Sequence, residues 1–319
     1  MLDGDAGIRA SIVVPVRNRP ELLEQMLETL VTQDLPGSLF QIIICDDGSS
    51  DDIGPVAEKF RTGPIRVALE RQTALGPAAA RNMGIRASIA EIVVFFDSDV
   101  LIEASAVRLL LDALNIHPEW CGAEAALHPA GEEPGILWDA PSSTSGGHFH
   151  TAAIAYRKEF LLEVGGFDEQ FTLPACEDVE IAVRMLRYGP IGFVPGAKVF
   201  HPRRRVTFST HWRWRRHWRF EILLALRYGI LAFPGQPCGP FPRLRVAWSA
   251  LVTLPAGRLI SAFKAMGTSP KDAWTAALMA IFDFICGATA LPTILLQPLL
   301  ERKNYLSAVT RESKERIAV

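Results

Sequence analysis

Ile92-Val-Val-Phe-Phe-Asp97-Ser98-Asp99 begins as a continuous apolar run and ends on two acids. A short apolar run rich in β-branched and aromatic residues is the pattern of a strand buried on both faces. Gln41-Ile-Ile-Ile-Cys-Asp46-Asp47-Gly-Ser repeats the pattern upstream, and a third acidic pair, Glu177-Asp178, opens a stretch of helical spacing downstream. Acids at the C-terminal ends of buried strands fall in the crevice where open α/β sheets bind ligands. Gathering them there is costly unless a cation or a polar ligand offsets their repulsion. The layout implies a metal-dependent site for a nucleotide, with one carboxylate available as a base.

The neighbouring sequence fits the same scheme. Ser11-Ile-Val-Val-Pro-Val16 reads as another buried strand, and Leu22, Leu23, Met26, Leu27 and Leu30 then follow at helical spacing behind Pro20. Strand then helix recurs at 41–45 and 52–60, at 65–69 and 77–88, and at 92–96 and 104–114. This alternation predicts an α/β fold, a mostly parallel sheet covered by helices on both faces. Residues 128–147 are rich in Pro, Gly and Ser and read as a long loop, a length usually functional or mobile. A strand near 151–156, a helix to about 164, a helix over 176–188 and strands near 191–194 and 198–201 complete the predicted unit.

The whole chain has 319 residues, 49% of them apolar, which allows one large domain or a domain with an appendage. The net charge of −2 says little about partners, but its distribution says more. Arg203, Arg204, Arg205, Arg213, Arg215, Arg216 and Arg219 come without an intervening acid, with Trp212, Trp214 and Trp218 among them. The first residues lack the basic and apolar regions of a signal peptide. Five scattered cysteines have neither an even count nor metal-ligand spacing, which disfavours a disulfide framework or a zinc site. A reducing cytoplasm is the expected compartment.

Beyond residue 205 the composition changes, so domains are predicted at 1–205 and 206–319. A Pro/Gly linker is read at 233–242, then apolar stretches at 246–260 and 273–300. The last is long enough to span a bilayer. Asp283 lies near its middle, where a charge costs roughly 3 kcal/mol on insertion scales, and Pro292 and Pro298 interrupt its end. Lying on the membrane surface, or packing as a helical hairpin, therefore competes with spanning. Aromatics between arginines can also stack on nucleic-acid bases. Beside apolar helices the membrane interface explains Trp and Arg better, so a membrane surface and no nucleic acid is expected.

Individual residues carry the expected chemistry. In an extended backbone residues i and i+2 point the same way, so Asp97 and Asp99, flanking Ser98, can face one ligand. Their hard oxygens suit Mg²⁺ or Mn²⁺ bridging a diphosphate; Asp is also common in turns after strands. An acid of the Asp46-Asp47-Gly48 turn can accept a base imide N–H, or it can cap the next helix. Arg81 inside the helix from Pro77 can pair with Asp97, contact phosphate, or lie on the surface. Arg203–Arg205 can meet a diphosphate or anionic lipids.

In order, 11–18 (SIVVPVRN), 45–49 (CDDGS), 76–82 (GPAAARN), 95–99 (FFDSD), 165–169 (GGFDE) and 177–180 (EDVE) resemble the inverting family-2 glycosyltransferases of GT-A fold. The resemblance covers roughly the first two hundred residues and rests on the ordered series. It implies a Rossmann-like nucleotide-binding half up to Asp99 and an acceptor-binding half after it. It also implies that Pro15, Arg17 and Asn18 line the nucleotide pocket, that Asp47 reads the base beside Asp46, and that Asp97 contacts ribose or metal-bound water. Asp99 would bind the metal, with His201 as a further ligand or else a capped or solvent-facing side chain. Asp178 would be the general base and Glu177 its neighbour. The implied reaction moves a sugar from a nucleotide-diphosphate sugar, a UDP-sugar first, to a hydroxyl of a lipid-linked or cell-surface glycan, at the inner face of the cell membrane.

Thr210-His-Trp-Arg213-Trp214 is similar to the Q-x-x-R-W of processive members, but Thr210 replaces the Gln, which favours transfer of a single sugar. A nucleotidyltransferase of similar fold needs a Gly-rich stretch after the first strand, and Val14-Pro-Val-Arg-Asn18 has none. A non-catalytic membrane scaffold would have no need of Asp97, Asp99 and Asp178 together.

Overall fold

The structure is a computed structural model, and it describes residues 7–132, 134–230 and 241–296. The predicted linker up to residue 240, Cys238 and Pro298 lie outside the described residues. These residues divide into two compact units, one made of 7–129 and 141–202, the other of 130–140 and 203–296. The loop read at 128–147 is thus shared: its first two residues end a strand, and its middle joins the second unit.

The first unit begins with β1 (Ala10–Val16), α1 (Pro20–Val31), β2 (Phe40–Asp47), α2 (Gly54–Arg61), β3 (Arg66–Gln72), α3 (Pro77–Ala87) and β4 (Ile92–Phe96). The strands lie in the order β3-β2-β1-β4 and all pair in parallel. Alternation along each buried strand feeds two cores. Ile12, Val14, Ile42, Ile44 and Val94 face Leu23, Met26 and Leu27 of α1, whereas Val13, Ile43 and Val93 face Ile85 of α3. A strand buried on both faces has no room for polar alternation, and this is why these runs are continuously apolar.

After β4 come β5 (Leu101–Ile102), α4 (Ala106–Ile116), β6 (Gly122–Pro129) and, in the other unit, β7 (Trp138–Asp139). Then follow β8 (Ala153–Arg157), α5 (Lys158–Glu163), α6 (Glu177–Met185) and β9 (Ile191–His201). The eight-stranded sheet runs β3-β2-β1-β4-β8-β6-β9-β5. β8 enters antiparallel between β4 and β6, so the sheet is mixed beyond β4. The two strands expected at 191–194 and 198–201 are one strand, β9. Its register against β6 jumps from Val194 to Lys198 between Ala125 and Ala126, so 195–197 bulge out of the ladder.

In the second unit β7 pairs antiparallel with β10 (Arg204–Arg205). α7 (Phe208–Trp214), a 3₁₀ turn at Arg215–His217 and α8 (Trp218–Tyr228) form one nearly continuous helical segment. α9 (Pro242–Trp248) passes through a π-helical turn, Ser249–Thr253, into α10 (Leu254–Ala265), and α11 (Pro270–Leu296) packs beside α10 as a hairpin. Asp283 is not stranded mid-helix: its Oδ2 accepts a 2.8 Å bond from Arg258 Nε on α10. Gly287 allows close packing, since a Cβ there would fall 2.5 Å from the Ala250 carbonyl oxygen.

Candidate active site

Asp97, Ser98 and Asp99 leave the end of β4 where the next pairing is with antiparallel β8, and His201 ends β9. Ligand atoms of Asp97, Asp99 and His201 lie within 4.8 Å of one another. His201 Nδ1 lies 2.9 Å from the Pro202 carbonyl oxygen, which can only accept, so Nδ1 carries the proton. When neutral, the imidazole turns its Nε2 lone pair toward Asp99 Oδ1, 3.8 Å away. Two electron pairs facing across that gap fit a cation between them, and a backbone carbonyl fixing the far nitrogen is the usual support of a metal-binding histidine. Two carboxylates and one imidazole suit Mn²⁺ and are also acceptable to Mg²⁺. Arg19, half exposed, reaches Asp99 Oδ2 at 3.4 Å from the other side.

Arg81 occupies the centre. It is buried, and its Nη2 donates to Asp97 Oδ1 and its Nη1 to Glu177 Oε1, each at 2.9 Å. The arginine is therefore not a surface residue; it ties α3 to the end of β4 and the start of α6. Burial disfavours its charge, but Asp97 and Glu177 outweigh that and hold it protonated. Burial pushes the Glu177 carboxyl up to about 7; the Asp178 charge adds to this and Arg81 opposes it. Arg81 Nε and Glu177 Oε2 are buried without a hydrogen-bond partner, an arrangement that tends to occur at functional sites.

Asp178, on the first turn of α6, accepts from the Val179 backbone N–H at 2.8 Å and lies 3.4 Å from His150 Nδ1. Burial lowers the affinity of His150 for its proton, but the Asp178 hydrogen bond and charge outweigh it, so the imidazole pKa is raised. His150 has no sequence motif; it reaches the site because 147–149 are anchored by their N–H groups to the buried Glu124 carboxylate. Arg19 and Glu124 were equally invisible, since each acts across more than twenty residues of sequence.

At the end of β2 the two acids have internal partners. Asp46 accepts from Ser49 N and faces Arg71 at 3.6 Å. Asp47 accepts from Gln72 Nε2 at 2.8 Å and from the backbone N–H groups of Leu75 and Gly76. It thereby fixes the turn into α3, where Gly76 (φ +104°) leaves no space for a side chain against the Thr172 carbonyl. Pro15 is half-buried in β1 and Arg17 is exposed. Asn18 Oδ1 accepts from Ser50 N at 2.8 Å, latching the β2–α2 loop. Asn82 plays the same part elsewhere, exchanging bonds with the Phe167 backbone.

The non-glycine residues at positive φ among the described ones are Asn18, Arg19, Phe149 and Cys176, each in or next to a residue of this site. Backbone strain of this kind costs of order 1–3 kcal/mol per residue and persists where the surroundings over-determine it. The Arg203–Arg205 run lies in the second unit.

Residues 11–123 match the family described as Glycosyl transferase family 2. The chain is 29% identical over 218 residues to a validoxylamine A glucosyltransferase of Streptomyces hygroscopicus subsp. limoneus, covering 56% of this chain and 48% of that one. It thus spans about half the length of that relative. Two solved structures share the fold. A mannosyltransferase from Pyrobaculum calidifontis in complex with GDP-Man and Mn²⁺ aligns with TM-score 0.59 and 20% identity, over 91% of this chain and 88% of that one. Residues 1–349 of TarS from S. aureus, in complex with UDP-GlcNAc, align with TM-score 0.54 and 17% identity, over 97% and 92%. Residues 11–123 are thus similar to the family-2 glycosyltransferases, and the sheet of the first unit with its flanking helices has the GT-A fold.

Proposed function

We propose that the protein is a metal-dependent, inverting glycosyltransferase that moves one sugar from a nucleoside-diphosphate sugar to a hydroxyl of a lipid-linked or cell-surface glycan. The observation that carries this reading is the convergence of Asp97, Asp99 and His201, joined through Arg81 to the start of α6 that bears Asp178. The donors named for the two structural neighbours, GDP-Man and UDP-GlcNAc, support a nucleotide sugar, with UDP as the first choice here. Asp97, Asp99 and His201 would hold Mn²⁺ or Mg²⁺, which when bound offsets the charge of the departing diphosphate.

The residues of the chain then divide the remaining work. Asp178 takes the proton of the acceptor hydroxyl as that oxygen bonds to the anomeric carbon and the carbon–oxygen bond to the diphosphate breaks. His150 and the Val179 N–H hold the two oxygens of Asp178, so the base is oriented before the acceptor arrives. Arg81 keeps Asp97 and Glu177 from repelling each other and from turning away. Pro15, Arg17, Asn18, Asp46 and Asp47 form the base-binding rim, with Asp47 also setting the shape of its floor.

Membrane attachment through the second unit belongs to the same reading. The segments 242–265 and 270–292 are each long and apolar enough to cross a membrane. Trp274, Leu278, Ile281 and Ile285 recur along one exposed side of α11, and Leu259, Ile260 and Phe263 are exposed on α10. A contiguous apolar surface of this kind is costly in water and favourable in a bilayer or at its interface. The adjoining Arg/Trp segment supports placing that attachment, peripheral or monotopic, at the cytoplasmic face, where a lipid-linked acceptor would be within reach.

Calorimetric titration with UDP tests the donor site. Binding is expected to require Mn²⁺ and to disappear in Asp99→Ala; metal-independent binding unchanged by that substitution defeats the reading.

A further inference from the structure

The second unit contains a cavity of about 530 Å³, built entirely from its own residues. Sites that enclose a compact organic ligand run to about 300–1,000 Å³. Its walls are three helix faces and one short ladder. Trp214, His217, Trp218 and Glu221 succeed one another at helical spacing, so one side of the α7–α8 segment lines it. Ala250, Leu254, Gly257 and Arg258 line it from the π turn and α10, and Ala276 and Asp283 from α11. Trp138 and Asp139 close the last side, held in β7 by pairing with Arg205 and Arg204.

This arrangement divides the Arg/Trp segment. Trp214 and Trp218 line the cavity, Trp214 at its exposed rim, while Trp212, Arg213, Arg216 and Arg219 are exposed and do not line it. The lining chemistry is correspondingly selective. Three indoles offer flat apolar faces, and Asp139, Glu221 and Asp283 offer carboxylate acceptors. Arg258 is fixed by its bond to Asp283, which uses one of the five guanidinium donors. Burial keeps the His217 pKa below its ordinary value, so the ring is neutral at pH 7 and adds no positive charge. Asp283 is answered by Arg258, and the carboxylates of Asp139 and Glu221 elsewhere in the lining disfavour phosphates and carboxylates. An organic cation, the other ligand that indoles attract, would be drawn by the carboxylates but offers no acceptor to the remaining donors of Arg258.

A neutral hydroxylated ring satisfies every group. Its C–H face stacks on indole, its hydroxyls donate to the carboxylates, and its oxygens accept from Arg258. We propose that this cavity is a saccharide-binding site of the second unit, distinct from the nucleotide-sugar site, which holds a neutral sugar by Trp138, Trp214 and Trp218 and by the carboxylates of Asp139 and Glu221. The inference stands on the cavity alone and does not require the transfer reaction proposed above.

The full chain, reconstituted in nanodiscs free of glycoside detergents, would be titrated with maltose, cellobiose and N,N′-diacetylchitobiose while tryptophan fluorescence and saturation-transfer NMR are followed. At least one disaccharide is expected to give a saturable response. A Cβ on Gly257 meets nothing within 4 Å, so Gly257→Phe starts its side chain in open space at the cavity wall and should weaken the response at least tenfold. Glu221→Gln keeps the wall's shape and should weaken it several-fold, which guards against misfolding of the larger variant. UDP titration of the same samples should be unaffected by both variants, so a failed sugar titration beside intact UDP binding removes this inference only. No saturable response to any of the three sugars, or binding undiminished in both variants, would overturn it. Saturable binding of tetramethylammonium or inorganic diphosphate in their place would overturn it too.

Discussion

Arg81 in the first unit is 3% exposed, and Phe263 in the second is 80% exposed. Each inverts the ordinary hydropathy rule, and the two inversions have different remedies. Around Arg81 the chain gathers Asp97, Glu177 and Asp178, so buried charges answer one another and await a charged ligand. Around Phe263 none of the described residues covers the apolar side chains exposed on α10 and α11, and an apolar environment is the fitting complement. A buried charge and an exposed aromatic are thus both signs of function, and they point to opposite kinds of partner.

The sharpest way to break this comparison is through Asp178. Asp178→Asn keeps the size and much of the helix-start bonding but cannot act as a base, so turnover should fall about 10²–10⁴-fold with UDP binding retained. Near wild-type transfer by a folded variant would leave Asp178 a capping residue, whose loss costs about 1 kcal/mol of stability and little activity. Next in size, Arg81→Met leaves Asp97 and Glu177 without their buried cation and should destabilise the protein by about 3–5 kcal/mol in denaturant unfolding. A change within 0.5 kcal/mol would mean that the charges are not buried as described.

Glu177 gives a pH signature. Its folded pKa of about 7 lies above the ordinary value of 4.5, so the folded state holds the proton more tightly. Stability from this group is full below about pH 4.5 and is lost as the pH rises through about 7, with a slope of at most about 1.4 kcal/mol per pH unit. Glu177→Gln should flatten that slope, as pH-dependent denaturation would reveal. The smallest effect on folding is expected from the double change Leu278→Glu and Ile281→Glu on the exposed side of α11. Stability should shift by no more than about 0.5 kcal/mol, while co-sedimentation with anionic liposomes should drop several-fold. Unchanged sedimentation would remove the membrane from the comparison.

Much of the first unit was legible along the chain. Four apolar runs ending in acids or turns, each followed by helical spacing, become β1–α1, β2–α2, β3–α3 and β4–α4 with small boundary shifts, because local sterics and two-sided burial dictate such patterns. Two-residue strands such as β5 and β7 carry too little periodicity to detect. The bulge that joins 191–194 and 198–201 into β9 depends on the register of β6, which no local pattern encodes.

The candidate site divides in the same way. Asp97, Asp99, Glu177 and Asp178 were readable as acids at the ends of elements, since position after a strand or at a helix start is a local property. Their partners were not. Arg81 joins residues 16 and 96 positions away, and His150 meets Asp178 only because Glu124 holds the intervening loop. The sequence by itself determined the alternation of strands and helices, the acids at their ends and the apolar character of the C-terminal segments. Only the tertiary structure decided that Arg81 is a buried hub, that Asp283 is neutralised by Arg258, and that Trp214 and Trp218 line a cavity of the second unit. Those outcomes depend on which distant residues share a surface, and burial converts that choice into the energy of a charge or a ring.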